Sequence, residues 1–162
     1  MSDSTALDPK WGQPDGTHDP RVLANFQALD SDVLITTAPK AGTTWMQQIL
    51  YQMRSGGDPD FGNIDAVVPW LELPRKGKSW QQVLDDYDSL PRPRLFKTHC
   101  TAEQTPGIGT ASIILTVRDP RECCVSFYHH LMNMTDEARE ASGHQRPASL
   151  AAHVDTWLEF AA

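Results

Sequence analysis

Apolar residues fall along the chain in short runs that alternate between two periods. Residues 33–37, VLITT, form a continuous β-branched run bounded by polar positions, which predicts a buried strand. From Thr43 onward, Trp45, Met46, Ile49, Leu50 and Met53 recur at helical spacing, and the helix is expected to stop before Gly56-Gly57. Residues 58–93 are rich in Pro, Gly and charge. They hold an apolar island at 67–73 and a helical stretch at 79–90 with Ser79 as its N-cap. Residues 94–99 read as a second strand. Residues 112–118 read as a third, and their unbroken apolar run predicts a parallel strand covered on both faces.

A further helix is predicted after Asp119-Pro120, with the aspartate as N-cap and the proline at the first helical position. Its apolar face uses Cys124, Phe127, Tyr128 and Leu131. Residues 134–147 read as a loop or a frayed helix, and residues 149–162 as a final helix. Ahead of the first strand, Pro9, Gly12, Pro14, Gly16 and Pro20 interrupt any periodicity. Residues 1–30 are therefore expected to be a polar tail with a short helix at 21–29. Residues 31–162 form the domain. No internal repeat is visible.

Strands alternating with helices predict an α/β fold, a three-layer arrangement with a parallel sheet flanked by helices. In such sheets, ligands sit beyond the carboxyl ends of the strands. Composition narrows the class. The 162 residues suffice for one domain; 40% are hydrophobic and 22% charged. No apolar run reaches membrane-spanning length, and the polar, acidic N-terminal run lacks the pattern of a secretory signal. Three cysteines, two of them adjacent, suit a reducing, cytoplasmic setting. The net charge of −7 argues against a nucleic-acid-coating surface. That charge is concentrated at −3 in residues 1–30 and −3 in 133–162, leaving −1 between them, where a few placed cations suffice for a small anion.

Three polar motifs fall at the three strand ends. The first is 39–45, with Lys40, Ala41, Gly42, Thr43, Thr44 and Trp45 at a strand-to-helix turn. Glycine permits close approach of the backbone, and the following helix offers unpaired N–H groups and a positive dipole end to an anion. The residue order excludes a Walker A loop, in which the lysine follows the glycines. The alternative reading is a tight turn with surface polar residues.

The second motif is Lys97-Thr98-His99. Strand alternation sends Lys97 and His99 to one face, and an imidazole titrating near ~6.5 suits a general base. A satisfied structural histidine is the alternative. The third runs from Arg118 to Ser126, with a guanidinium fork and a helical hydroxyl suited to phosphate. Its alternative is an Arg118–Asp119 surface pair beside a solvent-facing serine. His129 and His130 do not make a metal pair, because adjacent helical residues diverge by about 100°.

Taken in order, PKAGTTW, VPWLEL, KTH and RDPRECCVSFYHHL resemble the motifs of the cytosolic-type sulfotransferases, over about residues 33–134, with a weaker echo in WLEF near the end. The resemblance implies a nucleotide-kinase-like fold and the sulfuryl donor 3′-phosphoadenosine 5′-phosphosulfate (PAPS), with no metal. It implies that Lys40, Ala41, Gly42, Thr43, Thr44 and Trp45 hold the 5′-phosphosulfate and that Arg118 and Ser126 hold the 3′-phosphate. It also implies His99 as general base toward a hydroxyl or amine of a small-molecule acceptor, with Lys97 beside the sulfuryl group and Lys40 on the leaving oxygen. Neither nucleic acid nor a membrane is an expected partner.

Ala41 stands where the family usually has serine or glycine. The family's later Arg-Lys-Gly segment has no counterpart, since Arg75-Lys76-Gly77 precedes the catalytic strand. The resemblance therefore implies an N-terminal portion of the domain, incomplete at the C-terminus, with a partner chain or dimer as one way to complete it. The rival readings are a non-catalytic nucleotide-binding or interaction fragment and a phosphate-transfer enzyme of related layout.

Overall fold

The computed structural model describes residues 7–161. The first six residues of the expected tail, and the last residue of the expected final helix, lie outside the described residues. A short parallel sheet organises the chain. Strand β1 (Val33–Thr37) lies in the centre, between β2 (Leu95–Thr98) and β3 (Ser112–Thr116), in the order β2-β1-β3. Both pairings are parallel, with Val33 opposite Leu95 on one side and Ser112 on the other. The three carboxyl ends thus lie together at one edge of the sheet.

Strand alternation divides the core into two layers. Leu34 and Phe96 point to one face, where they meet Val22 and Leu23 of α1 (Pro20–Asn25), Phe26, and Val83 and Tyr87 of a later helix. Phe96 packs edge-on against Phe26 at 5.1 Å and against Tyr87 at 5.2 Å between ring centroids, a favoured aromatic geometry. Ile35 and Leu95 point to the other face, against Val68 and Tyr51 of α2 (Thr43–Ser55).

The helix boundaries follow the expected chemistry. α2 ends where Gly56 takes a left-handed conformation and donates its N–H to Gln52. After the short helix α3 (Ile64–Val67), α4 (Trp80–Asp88) starts from a reciprocal capping box between Ser79 and Gln82. α5 (Pro120–Asn133) starts with Pro120, capped by the Asp119 carboxylate.

Residues 134–147, open between loop and helix in the sequence, form α6 (Asp136–Ser142), capped by Thr135 and ended by left-handed Gly143. The final helix α7 (Leu150–Ala161) packs on α5, where His153 Nε2 lies 3.1 Å from the Cys124 carbonyl oxygen.

At three points the structure departs from the sequence reading or adds to it. Strand β3 is not covered on both faces. Its Ile113 and Leu115, with Val117 just beyond, share the face that α1 and α4 cover elsewhere, yet they are 40%, 69% and 82% exposed. An unbroken apolar run shows which strand needs cover but not whether the cover is present. Second, the apolar stripe of α2 is not its buried line. Thr43, Gln47 and Tyr51 face inward, Met46 and Leu50 flank them, and Trp45 (79% exposed), Ile49 and Met53 form an outer row. Third, Val22, Leu23 and Phe26, from the short helix and its end ahead of residue 31, belong to the main core.

Candidate functional site

The loop between β1 and α2 is the hub of the site, because all three strand ends are tied to it. At its start, the Thr37 hydroxyl meets the Thr43 hydroxyl at 2.5 Å, closing the loop across its base. Lys40 takes a left-handed conformation (φ 66°), uncommon for a side-chain-bearing residue, and Gly42 a second one (φ 95°). Gly42 caps α2 without any side-chain cap bond, so the first-turn N–H groups of Thr43, Thr44 and Trp45 have no capping side chain. Left-handed turns of this kind, followed by a helix N-terminus, turn successive backbone donors toward one concavity.

Strand β3 grips the loop from one side. Thr116 donates its hydroxyl to the Ala41 carbonyl at 2.9 Å, and Arg118 donates to the Lys40 carbonyl at 3.2 Å. Arg118 also bonds Glu122 at 2.9 Å, while Asp119 pairs with Arg121 instead. The Arg118–Asp119 surface pair is thereby excluded. Arg118, Arg121, Glu122, Val125 and Ser126 line a surface cavity of about 400 Å³. Arg118 and Ser126 of the third motif thus line one shallow, open depression of the surface.

Strand β2 is tied to the end of β1, where the loop begins. His99, just past the strand, lies with Nδ1 2.7 Å from the Thr37 carbonyl oxygen. A carbonyl only accepts, so Nδ1 carries the proton and Nε2 keeps a lone pair. The imidazole packs edge-on against Trp70 at 5.0 Å. Burial pushes its pKa below the ordinary 6.5, as do the nearby charges of Lys97 and Lys40; the Thr37 carbonyl and the Glu72 charge act in the opposite direction.

Lys97 lies 3.5 Å from Asp65 and 4.8 Å above the Trp70 ring. Both Lys97 and His99 thus contact Trp70, as their shared face requires. Trp70 is positioned by residues 69–71, which run beside β2 as a parallel rung. Lys97 donates its N–H to the Pro69 carbonyl at 2.9 Å, and Leu71 donates to the Lys97 carbonyl at 2.8 Å.

The sequence-predicted residues therefore gather at one sheet edge, with differences among them. Arg118 and Ser126 share the cavity, while Lys40 and His99 lie outside its lining but close enough for the lysine charge to act on the imidazole. Thr43 is buried, with its hydroxyl bonded inside the loop; Thr44 and Trp45 are exposed. Ala41 is buried. Two further residues were not foreseen from the sequence. Thr116 fastens the loop, and Glu72, 2% exposed, accepts the His99 backbone N–H at 2.8 Å. A glutamate closing an apolar island was the available signal for the second.

Comparison with known proteins identifies the family. The sequence profile of the sulfotransferase domain matches residues 30–162, and the chain belongs to that family. Human sulfotransferase 4A1 is 38% identical over 112 residues, covering 65% of this chain and 37% of that protein. Among solved structures, mouse sulfotransferase SULT7A1 complexed with PAP superimposes with a TM-score of 0.62 at 22% identity, covering 83% of this chain and 43% of that one. A putative steroid sulphotransferase from Arabidopsis thaliana gives 0.59 at 26% identity, covering 86% and 48%. The chain thus spans less than half the length of these relatives. Among the described residues, no helix is long and apolar enough to cross a membrane.

Proposed function

We propose that this chain provides the donor-binding loop and the general base of a sulfotransferase. The reaction moves the sulfuryl group of PAPS to a hydroxyl or amine of a small molecule. The observation that carries the reading is the lacing of three strand ends to one left-handed loop, with His99 Nδ1 held on Thr37 so that Nε2 is left to accept a proton. In this reading the first-turn N–H groups of α2 and the Lys40 ammonium receive the phosphosulfate. Thr43 acts there through its backbone, and Thr44 and Trp45 flank the group. Arg118 and Ser126 take the 3′-phosphate in their shared cavity.

The chemistry balances as an in-line displacement. The acceptor oxygen or nitrogen forms a bond to sulfur and loses its proton to His99 Nε2. The bond between sulfur and the bridging phosphate oxygen breaks, and its electron pair stays on that oxygen. Lys40 neutralises the charge that develops there, and Lys97 helps orient the sulfuryl group. Preorganised positive charge is the main contribution a protein makes to such a transfer. No metal takes part in the proposed step, and the proposed setting is cytoplasmic.

The test is donor-stabilised unfolding combined with transfer of labelled sulfate to a panel of phenols, alcohols and amines. PAP, the desulfated product, is expected to raise Tm. His99→Ala is expected to retain that stabilisation while losing transfer by about 10²–10⁴-fold, the usual worth of a general base. Lys40→Ala is expected to lose both. Full transfer by the His99 variant overturns the mechanism. The open apolar faces of β3 and α2 favour a second reading, in which a partner chain or second copy covers them before transfer occurs. PAP binding without transfer by the isolated chain is the outcome that selects it.

A further inference from the structure

The segment that positions Trp70 ends in a buried carboxylate that the proposed reaction does not use. Glu72 is 2% exposed, and its Oε1 accepts the His99 backbone N–H at 2.8 Å. Its Oε2 is also buried, with no oxygen or nitrogen donor on it and the Cys100 thiol as the polar side chain interacting with the carboxylate. Isolating a carboxylate in this way is costly, and groups so placed either pair with a cation or serve a site. The one group of opposite potential charge bonded to it through the backbone is His99.

Resting on the sulfotransferase reading, we propose that Glu72 is the positioning residue of the His99 base. One carboxylate oxygen fixes the backbone at the end of β2, and the anionic charge stabilises the imidazolium that forms when Nε2 takes the acceptor's proton. His99 then has two orienting partners. Thr37 sets its tautomer, and Glu72 sets its place and supports its charged form. The proton moves from the acceptor to Nε2, and Glu72 gains no proton. In triad-type bases a carboxylate takes the ring N–H itself; here the Thr37 carbonyl fills that place, and Glu72 acts on the backbone and through its charge.

The other charges facing His99 are Lys97 from β2 and Lys40 from the loop after β1, and both disfavour the imidazolium. Those near Glu72 are the Cys100 thiol and the Tyr87 phenol of α4, whose pKa values are both pushed up to about 12, mainly by burial. Neither titrates in the range in which His99 works. Among the described residues, Glu72 is thus the one anion acting on this imidazole, against two cations.

The decisive experiment is an NMR titration of the His99 ring, by long-range ¹H–¹⁵N correlation, in the full chain and in Glu72→Gln. The substitution keeps the shape and an oxygen to accept the His99 N–H but removes the charge. The expected result is an unchanged Nδ1–H tautomer with the His99 midpoint displaced to lower pH. An unmoved midpoint in a folded Glu72→Gln chain overturns the proposal. Should that variant not fold, Glu72→Asp, which keeps the charge but withdraws it from His99, is titrated instead, and an unmoved His99 midpoint there overturns the proposal equally. Neither titration depends on turnover, so the pairing is decided even where transfer is not observed. Where transfer is measured, Glu72→Gln is expected to lower kcat by about tenfold with the donor KM unchanged.

Discussion

At the scale of single residues, the site depends on where a proton sits. His99 is folded into a place that disfavours its charged form, chiefly by burial and then by two lysine charges, so its pKa lies below 6.5. A base works when unprotonated, so the sign of the effect is clear. The acid limb of kcat/KM is expected to fall at a pH below 6.5, and activity persists where an ordinary imidazole has already been lost. A pH profile of kcat/KM measured at sub-saturating acceptor, which reports the groups of the enzyme before acceptor binds, checks this, and a limb at or above 6.5 contradicts it. Stability shares the direction. As pH falls through 6.5, the unfolded chain binds the proton while the folded chain does not, so the His99 contribution to folding declines toward acid. The residue type and its strand-end position were legible in the sequence. Its tautomer was not, because the Thr37 carbonyl that fixes it is 62 residues away.

At the scale of elements, strands and caps followed local rules, and those rules were readable. Ser79, Asp119-Pro120 and Gly56 each mark an observed boundary, because capping chemistry acts within a few residues. The inward line of α2 was not readable in the same way. Gln47 lies in that line, donating to the Val68 carbonyl at 2.7 Å, and a polar residue there looks like a surface position until its partner is known. The loop before α2 can be tested through its glycine. A Cβ added at Gly42 meets nothing within 4 Å, so space is not what selects glycine. The backbone is, at φ 95°. Gly42→Ala is therefore expected to cost about 1–2 kcal/mol, the left-handed penalty of an L residue, and to weaken PAP binding as the loop relaxes. Chemical denaturation with and without the nucleotide separates the two effects. An alanine variant as stable as the parent and equally able to bind shows that the turn is not what holds the anion.

At the scale of the whole molecule, one buried cation joins parts that the sequence keeps far apart. The Arg94 side chain is 2% exposed and enters between α1, β1 and α4. It donates to both oxygens of Asp32, at 2.9 and 2.6 Å, to the Gln27 carbonyl at 2.8 Å and to Asp88 at 2.6 Å. Its guanidinium also lies 5.4 Å from the ring centres of both Phe26 and Phe96. This clamp fixes the amino ends of β1 and β2, and so sets the register that brings their carboxyl ends together around the loop.

From the sequence, Arg94 reads only as the first residue of a strand, and Asp32 as a polar residue ahead of one. Their pairing spans 62 positions and leaves no local trace. The pair's net contribution is modest when intact, because desolvation offsets attraction, but breaking it leaves a buried guanidinium whose remaining counter-ion, Asp88, is 76% exposed. Asp32→Ala is therefore expected to cost about 3–5 kcal/mol, more than a typical surface carboxylate by an order of magnitude. Replacing both partners, in Asp32→Ala with Arg94→Met, is expected to recover part of that loss, since no charge then remains buried. Urea unfolding of the parent, the two single variants and the double variant measures the coupling. Additive losses in that cycle contradict a clamp and leave the two residues as independent packing groups. A coupled loss, together with reduced PAP stabilisation in Asp32→Ala, ties the integrity of the site to an ion pair at the opposite end of the sheet.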